Sequence, residues 1–202
     1  MGESLSTKIE TIQVCHALIQ NPNFLRLLLQ IDADLAAQMH AAGCSCSGVL
    51  HRANYPRKPR ACPKEIRPDF ESRFSFCCNL CRRRSTSASV RFLGRRVYLS
   101  LVVVLAPQRR TTLSGAAIQV VEALAIPERT IARWRHWWLQ LFPITPLWQA
   151  ACARLMPPVQ TLSLPTSLIE RFCGAAAEVA MRLLAFLSPL SVRPVITQFE
   201  AR

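Results

Sequence analysis

Residues 44–48 read CSCSG and residues 78–81 read CNLC, and these two stretches decide how the middle of the chain folds. Each stretch brings two cysteines close together, and 31 residues separate the two pairs. Paired cysteines at such a distance are typical of a tetrahedral zinc site, in which the metal joins two turns that bury too little apolar surface to fold alone. The spacing therefore predicts one structural zinc ion with Cys44, Cys46, Cys78 and Cys81 as its ligands.

Neighbouring residues leave an alternative for one ligand open. Cys77 competes with Cys78, because adjacent residues of an extended segment point in opposite directions and only one of them can face a metal. Cys78 is preferred, since its spacing from Cys81 is the commoner one for a metal-binding turn, whereas the CxC spacing of the first pair is tighter. Cys62 and His51 are expected outside the site. The remaining cysteines lie in apolar helical stretches and are predicted to pack in the core: Cys15, Cys152 and Cys173.

Positive charge is concentrated around the cysteine pairs. The chain of 202 residues has a net charge of +13, and residues 51–110 account for +12 of it, whereas residues 1–50 have −2. Arginine rather than lysine supplies most of this charge, and its forked donors suit phosphates and guanine edges. A charge run can be merely a solvated face, but one that coincides with a cysteine cluster favours a surface that binds polyanions. The cations predicted to contact phosphates are Arg57, Lys58, Arg82, Arg83, Arg84, Arg95 and Arg96.

Helical periodicity surrounds this basic segment. Residues 5–20 and 24–42 predict an N-terminal helical hairpin that Gly43 ends. Alternation at 73–76 and 91–93 predicts short strands with one buried face. The apolar run Val97 to Ala106 is a core strand or the start of a buried helix, and at ten residues it is about half of what a membrane span needs. Pro157 to Pro165 reads as a linker before a final helix at about 167–187.

Residues 115–141 predict two helices joined by a short turn. Pro127 stands at a first-turn position, and a second helix then repeats apolar residues at 131, 134, 138 and 141. Its other side is polar, as expected for a helix that lies in the major groove of DNA, although an ordinary helical hairpin with a solvated arginine face fits as well. The residues predicted to contact DNA from this helix are Arg129, Thr130, Arg133 and His136, the first three as base readers.

The quoted motifs, together with RFSFCCNLCRRRSTSASVRFLGRRVY at 73–98 and TIARWRHWW at 130–138, resemble bacterial zinc-ribbon plus helix-turn-helix proteins found with transposable elements. The resemblance covers about residues 43–142. It implies a role in recognising element or host DNA, and it supports the same four cysteines as zinc ligands. The chain departs from that pattern in its CxC pair and in having no recognisable nuclease domain.

The sequence favours a binding protein over an enzyme. Only three aspartates are present, and metal-dependent strand transfer needs a set of carboxylates for two cations. No phosphate-binding glycine loop and no nucleophile elbow is recognisable. A zinc ion with four sulfur ligands is closed to water. The N-terminus does not have the order of a secretory leader, so a cytoplasmic, nucleoid-associated protein of a bacterium is expected, with cysteines reduced.

These patterns predict a mostly α protein with a small β zinc ribbon, an α+β fold. The expected segments are a helical hairpin at 1–42, a basic zinc ribbon at 43–98, a helix-turn-helix region at 99–156, and a linker with a C-terminal helix at 157–202. The expected function is binding of double-stranded DNA for a mobile genetic element. Two alternatives stay open: an RNA-binding basic module, and a non-catalytic interaction subunit that recruits a transposase or recombinase.

Overall fold

The computed structural model describes residues 15–93, 97–108 and 115–192, and within them the protein is mostly helical with a small antiparallel sheet. This agrees with the predicted α+β class. The helices are α1 (Pro22–Ala42), α2 (Arg67–Phe70), α3 (Ser100–Leu105), α4 (Gly115–Ala123), α5 (Glu128–His136), α6 (Pro146–Ala151), α7 (Thr166–Ile169) and α8 (Ala176–Leu187). The strands are β1 (Leu50–Arg52), β2 (Tyr55–Pro56), β3 (Ser72–Arg73), β4 (Ser75–Cys78) and β5 (Arg84–Thr86).

Helix α1 has the ends that its sequence predicts. The Asn21 side chain accepts hydrogen bonds from the N–H groups of Asn23 and Phe24, which satisfies donors that the first turn leaves unpaired. Gly43 ends the helix with a φ of 72°, a left-handed conformation that favours glycine. Of the helix predicted before α1, the structure describes only the end, from Cys15 to a 3-10 turn at Leu18–Gln20.

Strands β1, β4 and β5 form a three-stranded antiparallel sheet in that order, which we call the cysteine sheet. In its register Leu50 lies opposite Cys78, and Cys77 lies between His51 and Arg84. Strands β2 and β3 pair separately. Helix α1 packs on the cysteine sheet: Ala36 joins a cluster with Leu50, Phe76 and Cys78, and the His40 ring lies 5.3 Å from that of Phe76.

Most of the remaining apolar side chains share one core. Within the run at 97–106, left open between strand and helix, residues Ser100–Leu105 form helix α3, and all six of them are buried. Trp138 lies directly on α3, because its Nε1–H donates to the carbonyl of Val103 at 3.1 Å. The same core contains Cys15 near one end of the described chain and Leu187 near the other.

A buried ion pair ties α1 to the segment after β5. Asp32 and Arg91 are both fully buried, and the Arg91 Nε–H donates to the Asp32 Oδ2 at 2.7 Å. The Val90 N–H donates to the other carboxylate oxygen at 2.7 Å. Arg91 also donates hydrogen bonds to two backbone carbonyls. The strand predicted at 91–93 does not form, and this segment has an irregular backbone next to the ion pair.

Three expectations for residues 137–187 are wrong: the burial of Leu141, the linker, and the single C-terminal helix. Leu141, predicted to face the core, is 45% exposed, because residues Trp137–Leu141 form a π-helical turn that shifts the phase and buries Phe142 instead. The predicted linker contains a 3-10 turn at Thr161–Ser163 and packs in the core through Leu164. The single helix predicted at 167–187 is two helices, α7 and α8.

No helix in the described ranges has the length and apolar character needed to cross a bilayer.

Candidate metal centre and basic surfaces

The sulfur atoms of Cys44, Cys46, Cys78 and Cys81 come together at one end of the cysteine sheet. Cys46 Sγ lies 3.4 Å from Cys78 Sγ and 3.5 Å from Cys44 Sγ, and Cys44 Sγ lies 3.5 Å from Cys81 Sγ. All four sulfurs are within 4.8 Å of one another. A tetrahedral ion with metal–sulfur bonds of about 2.3 Å would separate its sulfurs by about 3.8 Å. The cluster could therefore hold a metal ion, and all four thiols are free of disulfides.

The two cysteine pairs are followed by the same backbone conformation. Ser47 follows the first pair with a φ of 63°, and Arg82 follows the second with a φ of 57°. In each case the next residue donates its backbone N–H to the second cysteine of the pair: Gly48 to Cys46, and Arg83 to Cys81. Such N–H···S contacts stabilise thiolates, the form in which cysteine binds metal.

Gly48 is required because of the space around it. A Cβ at this position would lie 2.4 Å from Cys78 Sγ and 2.9 Å from the Asn79 Oδ1. That amide oxygen accepts the Val49 N–H at 2.8 Å, and the Asn79 N–H donates to the Val49 carbonyl. The first turn is thus packed directly against the end of β4, which brings sulfurs from distant parts of the chain into one cluster.

The Cys46 and Cys81 thiols of the cluster differ strongly in acidity. The Gly48 N–H, with the thiols of Cys78 and Cys44, lowers the pKa of Cys46 to about 6. At Cys81 the Arg83 N–H acts in the same direction, but lost solvation and the neighbouring Cys46 outweigh it, and the pKa is raised to about 12. The Cys46 thiol therefore loses its proton readily, and the Cys81 thiol holds its proton tightly. A metal ion bound by the sulfurs would favour the thiolate form of both.

The other cysteines lie outside the cluster. Cys77, the competitor of Cys78, faces the opposite side of β4, and its thiol contacts the carbonyl of Arg82 at 3.6 Å. Cys62 is buried, and burial raises its pKa to about 11. Cys15 is in the core as predicted, but Cys173 is exposed, because it follows the end of α7 rather than lying within a continuous helix.

Several predicted phosphate contacts are on the surface. Arg82, Arg83 and Arg84 are exposed beside the cysteine cluster and at the start of β5, and Lys58 is exposed as well. Arg57 is half-buried, and its guanidinium lies 5.5 Å from the centre of the Tyr55 ring. Predicted contacts at Arg95 and Arg96 lie outside the described residues.

Two arginines of the basic segment are not on the surface. Arg73 and Arg91 are fully buried, and burial lowers the pKa of Arg73. Arg91 pairs with Asp32 and lies 5.0 Å from the centre of the Phe70 ring, while Arg73 donates to the carbonyls of Ser87 and Ala88. Counting charges along the sequence missed this. The signal that could have found it is Asp32, an acidic residue between Leu28 and Ala36 on the buried stripe of α1.

Helices α4 and α5 are joined by a tight turn. Ala125 occupies it with a φ of 48°, the left-handed conformation for which glycine is usual. On α5, Arg129, Arg133 and His136 are exposed as expected. Thr130, predicted to read bases, is instead buried: it is only 6% exposed, and its Oγ1 accepts a hydrogen bond from Arg133 at 3.3 Å. Its side chain holds Arg133 in place instead of reaching outward.

Comparison with protein-family models, with curated proteins and with solved structures finds no match for this chain. A functional assignment therefore depends on the geometry of the cysteine cluster and of the cations around it.

Proposed function

We propose that this chain binds double-stranded DNA, and that zinc held by Cys44, Cys46, Cys78 and Cys81 keeps its basic cysteine sheet rigid. The observation behind this proposal is that four sulfurs within 4.8 Å adjoin three consecutive exposed arginines, Arg82 to Arg84. Four sulfur ligands suit zinc in a structural site.

The metal and the arginines are coupled through the backbone. Arg82 is the left-handed residue of the second turn, and Arg83 donates its N–H to a ligand sulfur. Binding of the ion would therefore fix the main chain from which these guanidinium groups project. Fixed cations contact phosphates with a smaller loss of conformational entropy, and each contact releases a counterion from the DNA.

Helix α5 is proposed to read bases. Arg129, Arg133 and His136 are exposed on it, while Trp134 and Trp138 anchor the same stretch in the core. A left-handed turn before a helix of this kind supports a helix-turn-helix, in which the second helix enters the major groove. Thr130 supports this role indirectly through its hydrogen bond with Arg133.

The resemblance to transposon-associated proteins suggests which DNA is bound: the ends of a mobile element or its host target. On that proposal the chain acts without catalysis of its own, beside a transposase or recombinase that supplies the chemistry. The buried arginines fit the proposal too, because they stabilise the fold while the exposed ones remain available to phosphates.

Fluorescence anisotropy with labelled duplex DNA and with structured RNA of equal charge tests the proposal. Replacing Arg82, Arg83 and Arg84 by Gln should weaken duplex binding and reduce the slope of log K against log salt by about 2 to 3. A matched control removes the same charge elsewhere, at the exposed residues Arg26, Arg154 and Arg182, and should change both much less. Equal effects of the two triple variants, or tighter binding to RNA than to duplex, would contradict the proposal.

A further inference from the structure

We propose that a cleft behind helix α5 binds a purine nucleoside monophosphate. The cleft has a volume of about 360 Å³, within the range of small-molecule sites, and lies among Gln108, Arg135, Gln160, Leu162 and Arg171. It uses none of the residues assigned above to metal or DNA binding, and the inference does not depend on the proposed function.

Gln108 is the residue that points to a ligand. It is only 2% exposed, and among the described residues neither its Nε2 nor its Oε1 has a hydrogen-bond partner. Buried amides are almost always paired, so an unpaired one that lines a cleft points to a partner, and a group with an adjacent donor and acceptor would satisfy both of its atoms. The edge of adenine offers that pair, and a glutamine amide binds it with two hydrogen bonds.

Two guanidinium groups line the same cleft. The Arg135 Nε–H donates to the Pro107 carbonyl at 3.0 Å, and the Arg171 Nε–H donates to the Ser167 carbonyl at 3.4 Å. Each side chain is thereby held at one edge. Within the described part of the chain, Arg135 Nη1 and both terminal nitrogens of Arg171 make no hydrogen bond. Such donors suit a phosphate.

The rest of the lining fits the other parts of a nucleotide. Leu139, Leu162 and Leu164 provide apolar surface for the faces of a base. Glu170 is the one acidic residue that lines the cleft among the described residues, and a carboxylate is a usual acceptor for ribose hydroxyls. With two arginines against one glutamate, the lining keeps a positive charge, which matches a monophosphate better than an uncharged nucleoside.

Isothermal titration calorimetry of the metal-loaded full chain tests this, with AMP, GMP, CMP, adenosine and inorganic phosphate as probes. We expect saturable AMP binding that is at least about tenfold tighter than that of adenosine or phosphate, because base and phosphate contacts add. Gln108→Leu should reduce AMP affinity about tenfold and remove the preference for AMP over CMP. Competition by a 5′-phosphorylated oligoadenylate would identify a strand end as the source of the nucleotide, and lack of competition a free nucleotide.

Arg171→Gln keeps the test valid if Gln108→Leu does not fold. It should weaken AMP binding strongly, whereas Arg154→Gln, an exposed arginine outside the cleft, should leave it unchanged. Absence of AMP binding at millimolar concentration would overturn the inference. So would phosphate that binds as tightly as AMP, or equal effects of the two arginine variants. Binding of duplex DNA is measured separately and is not altered by any of these outcomes.

Discussion

The Sγ atoms of Cys46 and Cys78 lie 3.4 Å apart although the two residues are 32 positions apart in the sequence. The separation is far longer than a disulfide bond and a few tenths of an ångström shorter than the spacing of about 3.8 Å expected for two sulfurs that bind the same ion. Cys46 belongs to the turn before β1 and Cys78 is the last residue of β4. Because β1 and β4 pair directly, the sheet register and the sulfur cluster support each other.

Gly48→Ala should disrupt the cluster. The added Cβ would lie 2.4 Å from Cys78 Sγ, so the first turn must move away from β4 and metal affinity should fall. Gly115→Ala is the matched control, because no atom of the described residues lies within 4 Å of its Cβ and it begins helix α4; it should be neutral or stabilise by up to about 1 kcal/mol. Competition with a chromogenic chelator measures both, and an unchanged affinity in Gly48→Ala would refute the assigned packing.

Asp32→Asn should destabilise the protein by about 3 to 5 kcal/mol, because it leaves the Arg91 guanidinium buried without its counter-charge. Urea denaturation measures the loss. Asp34→Asn changes the same charge on the exposed side of α1 and should cost less than about 1 kcal/mol. A similar, small cost for both variants would show that the buried pair does not hold α1 against the segment after β5.

Ala125→Gly should stabilise the turn before α5 by roughly 0.5 to 1 kcal/mol, because glycine adopts a φ of 48° without the steric penalty of a Cβ. The opposite sign is expected for Ala132→Gly, within α5, where glycine costs about 1 kcal/mol. Thermal denaturation compares the two variants. Destabilisation by both would mean that residue 125 is not left-handed in solution.

Alkaline pH should weaken the fold through Cys15. Burial raises its pKa from 9.0 to about 11, so the native state favours the neutral thiol. The stability from this preference is complete below pH 9 and is lost as the pH rises from 9 to 11, since the unfolded chain ionises first. Urea denaturation at about pH 8 and about pH 10.5 should show a smaller loss for Cys15→Ala than for the unaltered chain. An equal loss in both proteins would exclude Cys15 as the cause.

Some of these features can be predicted from the sequence, and others cannot, for reasons that the individual residues make clear. The spacing of the two cysteine pairs predicts the four clustered sulfurs, although the pairs are distant in sequence, because two close pairs are the usual pattern of a zinc site. The exclusion of Cys77 follows from local geometry, namely the CxxC spacing and the alternation of side chains along a strand. The burial of Arg73 and Arg91 depends on Asp32, which is distant in sequence, and charge counting cannot detect it. The exposure of Leu141 follows from a single π-helical turn, which helical periodicity does not reveal.

The cleft behind α5 could not be predicted from the sequence either. Its lining comes from the residues just after α3, from α5 and the π-helical turn that follows it, and from the turn and helix between Gln160 and Arg171, so only the folded chain brings it together. Residues of the predicted linker contribute to this lining, so the linker is a structured part of the protein.

The most direct measurement is the metal content of the purified protein by mass spectrometry, together with a count of reactive thiols. We expect about one zinc per chain, lost in Cys78→Ser and kept in Cys77→Ser, with the four ligand thiols protected from alkylation until a chelator is added. A chain that folds with no bound metal, or that keeps its zinc in Cys78→Ser and loses it in Cys77→Ser, would contradict the account.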